Sequence, residues 1–198
     1  MESSTSSASR FFGKYRAVVV DNQDPDTLGR VKARVPAVLG DVESGWALPC
    51  TPYTGDKVGF YMIPAPGAHI WVEFEGGDPS RPIWVGGYWH SGEMIEDVTP
   101  DVKVIRTETG HRLTLDDAGE KVELLHSGGS LIVIDGSSVK VEHSGGAKLV
   151  IDDSSIVIDN NGPQITLDGS SITIENGGQR IVISTSSVSA NNGALEVR

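Results

Sequence analysis

The tightest constraint on this chain is a repeat in its second half. Four segments align: "LIVIDGSSVKVEHSGG", "KLVIDDSSIVIDNNGP", "QITLDGSSITIENGG" and "RIVISTSSVSANNG". Ile134, Ile151, Leu167 and Ile183 fix the register, at spacings of 17, 16 and 16. A looser upstream copy, "HRLTLDDAGEKVELLHSGG", carries Leu115 at the matching place. Each unit holds two apolar pairs. The first is Ile132/Ile134, then Leu149/Ile151, Ile165/Leu167 and Ile181/Ile183. The second is Val139/Val141, then Ile156/Ile158, Ile172/Ile174 and Val188/Ala190. Polar residues such as Lys140, Thr166, Thr173 and Ser189 lie between their members. Alternation with period two marks strands with one buried and one wet face.

A unit therefore reads as two strands of about five residues joined by corners of about four. Each strand offers two inward side chains. Burying one contributes roughly 1.5–3 kcal/mol, whereas ordering backbone costs roughly 1–2 kcal/mol per residue. Two such side chains against about eight ordered residues leave a lone chain marginal. Three chains wound together change that balance. Three walls would close an axis packed with Ile, Val and Leu, and strand edges are expected to pair with a neighbouring chain instead of facing water. Gly, Asn, Asp and Ser corners would turn the chain at the prism edges. The expected trimer core is Ile132, Ile134, Val139, Val141, Leu149, Ile151, Ile156, Ile158, Ile165, Leu167, Ile172, Ile174, Ile181, Ile183 and Val188. With about eight residues per layer and layers about 4.8 Å apart, the rod would be about 50 Å long.

Composition separates this half from the first. All four tryptophans, Trp46, Trp71, Trp84 and Trp89, lie within residues 11–90, while 106–198 contain no Trp, Tyr or Phe. The shift gives four zones: a Ser-rich tail over 1–10, disordered or ordered only by a partner; an aromatic-rich domain over 11–90; a linker over 91–105; and the repeat zone over 106–198. In the second zone "KYRAVVVD", "GRVKARVPAV", "GWALPCTPY", "HIWVEFEGG" and "RPIWVGGYW" read as successive strands. Five strands in so short a stretch suit a small closed barrel of the OB type. The chain is thus expected to be all-β: an N-terminal OB-fold barrel followed by an intertwined homotrimeric triple-stranded β-helix.

Charge and cysteine content narrow the function. A net charge of −11 repels phosphate backbones and anionic lipid, which argues against nucleic acid as a partner. Cys50 is the sole cysteine, so an intrachain disulfide and a thiolate zinc cluster are excluded. It is expected to be a small buried apolar residue. The N-terminus "MESSTSSASR" lacks the apolar core of a secretory signal. The chain is expected to fold in the bacterial cytoplasm or to leave by a route without a signal peptide.

Asp116, Asp117, Asp135, Asp152, Asp153, Asp159, Asp168 and Glu175 recur near the corner register, where turns favour Asp, so they read as turn residues and not as a catalytic pair. No Gly-x-Ser-x-Gly elbow is present. His126 and His143 both lie in "HSGG", two residues beyond an inward position, with Asn160, Asn176 and Asn192 equivalent in later units. In a trimer each would make an axial ring of three able to hold an ion or water. The plainer reading is a polar corner residue tolerating positive φ, and no cofactor is otherwise expected. His69, His90 and His111 read as isolated and structural. Arg30, Lys32 and Arg34 alternate on one strand and read as a solvated or subunit-facing side, not an oligonucleotide track. The tryptophans read as barrel core or trimer contact.

The stretches "KYRAVVVDNQDPDTLGRVKARVP", "GWALPCTPYTG" and "AHIWVEFEGGDPSRPIWVGGYWHSGE" resemble the N-terminal OB domain of contractile-tail spike proteins, the family of phage central spike and baseplate assembly V proteins and of VgrG proteins. The resemblance is most specific at Trp71–Trp89, covers roughly 11–95, and extends to the repeat zone in architecture only. It implies a homotrimer beneath a hub ring, with the β-helix aimed at the target envelope and driven through it by sheath contraction. It implies a baseplate component of a phage tail or tail-like particle. Residues 91–105 leave no room for the lysozyme domain of some phage members. Only about ten residues precede the barrel, so the hub is expected to be a separate chain. The His-x-His iron-binding apex of some short spikes is absent from "SANNGALEVR", so a separate PAAR-type tip protein is expected. The family role is mechanical and non-enzymatic. A receptor-binding or adhesin fibre with a β-helical stalk is the alternative, and a polysaccharide lyase on a single-chain β-helix is a third reading.

Overall fold

The computed structural model describes residues 9–197 and divides into two compact units between Met94 and Ile95. In the first unit the elements are β1 (Tyr15–Asp21), β2 (Lys32–Arg34), α1 (Pro36–Leu39), β3 (Leu48–Pro49), β4 (Thr54–Gly55), β5 (Val58–Gly59), β6 (His69–Phe74) and β7 (Pro82–Gly87). Five of the strands form one sheet in the order β2-β1-β6-β7-β3, antiparallel except for the parallel pair of β3 with β7. The alternation expected of "HIWVEFEGG" is realised: Ile70, Val72 and Phe74 point into the core beside Ala17, Val19, Val31, Ala33, Val35, Ala47 and Trp84. Trp84 spends its one polar atom on the Gly29 carbonyl, Nε1 to O 3.1 Å.

One expected strand is shorter than its sequence suggested. "GRVKARVPAV" stops pairing at Arg34 and turns into the single helical turn α1. Pro36 has no N–H for a ladder but suits the first helical position. Gly40, at φ +61, closes the turn through its N–H to the Pro36 carbonyl.

The link from β6 to β7 is the "GGDP" turn. Asp78 accepts hydrogen bonds from the N–H and hydroxyl of Ser80, and the Arg81 N–H bonds the Asp78 carbonyl. Gly77 has φ +76, and a Cβ there would meet the Phe12 ring at 3.0 Å and the Phe11 nitrogen at 3.1 Å. Only glycine lets the N-terminal segment lie this close.

The second unit is a single antiparallel meander. Its strands are β8 (Val102–Arg106), β9 (Arg112–Asp116), β10 (Lys121–Leu125), β11 (Leu131–Ile134), β12 (Ser138–Glu142), β13 (Lys148–Asp152), β14 (Ser155–Asp159), β15 (Gln164–Asp168), β16 (Ser171–Asn176), β17 (Gln179–Ser184), β18 (Val188–Ala190) and β19 (Leu195–Val197). They make a twelve-stranded sheet in strict sequence order. The all-β expectation holds. Within this chain each strand pairs with the strand before it and the strand after it. Each four-residue corner is short enough to return the next strand alongside, so the local partner takes the edge first. β8 also begins inside the stretch read as linker.

Candidate functional site

Strand register assembles the apolar pairs into one surface. Val139 lies opposite Ile151 and Val141 opposite Leu149. Leu149 meets Ile158 and Ile151 meets Ile156, and Ile156 in turn meets Leu167. The same step runs through Ile165–Ile174 and Leu167–Ile172 to Ile172–Ile183 and Ile174–Ile181. The fifteen residues expected at the trimer core thus stand in two columns on one face. Within a single chain the face lies open: Ile134 is 47% exposed, Ile158 46% and Ile183 42%. Leu149, Ile165 and Leu167 are half-buried by their neighbours.

The opposite face has a central column in which Val133 pairs with Lys140, Val157 with Thr166 and Thr173 with Val182. This column is half-buried by its neighbours within the chain, and Thr173 in it is buried. Lys140 pairs with Asp135 at 3.3 Å and Lys148 with Asp159 at 3.8 Å.

One edge of the sheet is made of Asp-x-Ser-Ser corners. Asp135 Oδ1 accepts the N–H groups of Ser137 and Ser138 at 2.9 and 2.8 Å and the Ser137 hydroxyl at 2.8 Å. Asp152 and Asp168 repeat this with Ser154/Ser155 and Ser170/Ser171. In the last corner Ser184 substitutes, its hydroxyl accepting from the N–H groups of Ser186 and Ser187. The Ser170 hydroxyl and the Ser170 and Ser171 amides hold the Asp168 carboxyl down at about 2. Asp135 and Asp152 are lowered by the equivalent donors. The turn reading of these carboxylates is the one the geometry bears out.

The other edge carries the glycine-rich turns. His126 and His143 are exposed, and each Nδ1 accepts the N–H two residues on, from Gly128 and Gly145 at 2.9 Å. One ring nitrogen of each is therefore engaged by its own turn. Neither histidine takes positive φ; Gly129 and Gly146 do so instead, at +90 and +96. Neighbouring turns bond to each other: Ser127 N–H to His111 Nδ1, Ser144 N–H to the Ser130 hydroxyl, and the Asn161 amide to the Gly145 carbonyl. His111 is not isolated, since its ring lies 4.6 Å from that of His126. Among the described residues no three His, Cys, Asp or Glu side chains of this chain converge as metal ligands.

In the first unit the basic positions are satisfied locally. Arg30 sends Nε and Nη2 to Asp24 Oδ1 at 3.0 and 2.5 Å and also reaches Asp26. Asp24 further accepts the amides of Asp26, Leu28 and Arg30, and the Arg30 guanidinium holds its carboxyl well below the usual range. Lys32 lies over the Trp46 ring at 4.9 Å, and Arg34 meets Glu43 at 3.8 Å. His69 and His90 are not isolated either. Their rings stack at 5.2 Å, and Glu93 takes the His90 N–H at 2.6 Å and meets His69 Nδ1 at 3.0 Å. Of the tryptophans only Trp84 is core; Trp46 and Trp71 are half-buried and Trp89 is 61% exposed.

Two features escaped sequence reading. Cys50, expected to be buried, is exposed. Beside it, Tyr53, Val58, Phe60 and Tyr61 leave apolar surface open around a groove of about 610 Å³ that Leu28 and Ile63 also line. The signal available was "YTGDKVGFYM", a run of large apolar residues without strand alternation between two core strands. A loop path that never returns to the sheet leaves such residues outside.

Comparison with known proteins adds the following. Residues 15–89 match the family described as the type VI secretion system/phage-baseplate injector OB domain. Residues 144–196 match the phage baseplate V C-terminal trimerisation domain. Two proteins from strains of Vibrio cholerae serotype O1, type VI secretion system spike protein VgrG3 and actin cross-linking toxin VgrG1, are each 32% identical over 115 residues. Those alignments cover 52% of this chain but 11% and 10% of the relatives, so the chain spans about a tenth of their length.

Proposed function

Because the chain belongs to the VgrG-like central spike family, we propose that it serves as the non-enzymatic central spike of a contractile injection machine. The observation that carries this reading is the pair of open apolar columns on the second unit, most of it within a segment whose match is a trimerisation domain. Three copies presenting that face to one axis give a stiff rod, laterally hydrogen-bonded along its length. The first unit, matched to an injector OB domain, joins the rod to a separate hub protein. A PAAR-type protein caps the far end, and sheath contraction drives the assembly through the target envelope. The particle is a phage tail, a tailocin or an extracellular injection system, assembled in the bacterial cytoplasm.

The toxin activity in the name of VgrG1 belongs to that protein, whose aligned part is 10% of its length. It is not extended to this chain.

The first test is mass in solution by sedimentation. A stable species at three times 21.0 kDa is expected, and a folded monomer at working concentration would remove the spike reading. The second is deletion of the gene from its host: particles should lose killing or delivery and regain it with the wild-type chain. Retained activity in the deletion would point to a fibre role at the periphery instead.

A further inference from the structure

Three turns on the glycine-rich edge share one construction: residues 107–111, 126–130 and 143–147. In each, the first N–H reaches the fifth carbonyl at 2.8 or 2.9 Å. The fourth N–H, from Gly110, Gly129 or Gly146, returns to the first carbonyl at 2.8–3.0 Å. A histidine ring completes the arrangement. His126 and His143 each accept at Nδ1 inside their own turn, from Gly128 and Gly145 at 2.9 Å. His111 Nδ1 accepts the Ser127 N–H at 3.3 Å and so ties the first turn to the second.

A backbone amide can only donate, so each Nδ1 must be unprotonated and each ring neutral, with its proton on Nε2. An imidazolium has two donors and no acceptor. A second ring proton therefore removes all three bonds, and histidine ordinarily gains it near about pH 6.5. The surroundings offer the charged ring little compensation. Among the described residues the one histidine beside a carboxylate is His69. Glu108 lies in the turn of His111, but no contact joins its carboxylate to that ring, and Arg112 follows His111 in the chain. The ring facing His111 from the next turn is His126, at 4.6 Å, so charging both adds repulsion across the same two turns. Beside His143, Glu142 lies opposite Lys148, and the Lys148 ammonium lies 3.8 Å from Asp159. The turns beyond Lys148 contain no histidine, and in the first of them Asn161 N–H is held by Asp159 Oδ1 at 2.9 Å.

We propose that these three turns form a pH-sensitive catch along one edge of the sheet from β8 to β13. The catch is closed while the imidazoles are neutral and is released as pH falls through the histidine range. Both lost partners meet water when a turn opens, so the release is local and the strand ladders stay paired. The two edges then answer acid in separate ranges, the histidine turns first and the Asp-x-Ser-Ser corners only at much lower pH. The proposal stands independently of how many copies assemble.

Hydrogen exchange of the full chain, read by mass spectrometry, tests it. Labelling at about pH 7.5 and about pH 5.5 brackets the ordinary histidine value, with times scaled to the intrinsic exchange rate at each pH. Protection over 126–130 and 143–147 should fall roughly two- to tenfold at the lower pH, the loss of one hydrogen bond at a time. Protection over 159–163 should not change. Equal protection of the histidine turns at both values would overturn the proposal. The variant His111→Ser/His126→Asn/His143→Asn keeps an acceptor at each place without a ring to titrate, as Ser130 and Asn160 do in other turns. It should hold its protection at both pH values, and a wild-type loss in this variant would show that the imidazoles are not the cause. The ring tautomer gives a readout that needs no variant to fold. Imidazole nitrogen resonances of the wild-type chain at about pH 8, above the histidine range, should show protonated Nε2 and bare Nδ1 for all three rings. A protonated Nδ1 at His126 or His143 would remove the catch.

Discussion

Ile172 stands directly across the ladder from Ile183, and Thr173 beside it faces Val182 on the other side of the sheet. Ile172 is 39% exposed in the single chain, whereas Thr173 is buried at 7%. The polar residue is thus covered by its own chain and the apolar one is not, which is the reverse of what a sheet meant to stand alone would show.

Truncating that residue follows from this contrast. Ile172→Ala should cost about 2–5 kcal/mol per copy if the column is buried between copies. The readout is a fall in trimer melting temperature. Glu142→Ala, on the wet face, should change stability by about 0.5 kcal/mol or less. Equal effects would mean that the apolar columns face water in the assembly.

The Asp-x-Ser-Ser corners should make the sheet acid-sensitive. Asp168 sits at about 2, and Asp135 and Asp152 are lowered by the same kind of donors. Unfolded Asp titrates near about 3.9. A depressed folded value adds stability that is fully present above the unfolded value and is lost as pH falls through the folded one. Melting temperature should hold above about pH 4 and drop between about pH 4 and 2. Asp168→Ala should lower it at neutral pH more than Asp168→Asn, whose amide oxygen still accepts a hydrogen bond. A flat profile in acid would contradict the corner geometry.

The loop from Asp24 to Arg30 depends on the fork of the guanidinium. Arg30→Lys keeps the charge but loses the paired contact of Nε and Nη2 with Asp24. Hydrogen exchange at the amides of Leu28 and Arg30, which Asp24 also holds, should quicken in Arg30→Lys and more so in Arg30→Ala. Unchanged protection would show that Asp24 needs only the backbone amides.

Two glycines separate strain from crowding. Gly67 has φ +91, and a Cβ there would stand in open space, so Gly67→Ala carries backbone strain alone, about 1–3 kcal/mol. Gly77→Ala adds a clash with the Phe11 backbone at 3.1 Å and should destabilise the first unit further. Thermal melting of the two variants gives the order directly.

Much of the second unit was legible because its signal is local. Pairs such as Ile165/Leu167 set the face, and Asp168 followed by Ser170 and Ser171 sets the corner, within a few residues of each other. The core of the first unit was read from the same alternation at Ile70, Val72 and Phe74. The histidines were harder. The Nδ1 contact of His126 depends on the Gly128 amide lying within reach, and the stack of His69 on His90 joins residues from different segments. Cys50 and the aromatic groove beside it depend on where an irregular loop runs.

By itself, the sequence determined which side of each strand is apolar, where the chain turns, and that two inward side chains per strand leave a lone chain marginal. The tertiary structure decided which strand lies beside which, and hence that the neighbours of Val150 belong to its own chain. The reason is physical: alternating side chains specify a face, but the ladder is made by backbone N–H and C=O groups that are alike at every residue. Only the path taken by each corner determines whose edge they meet.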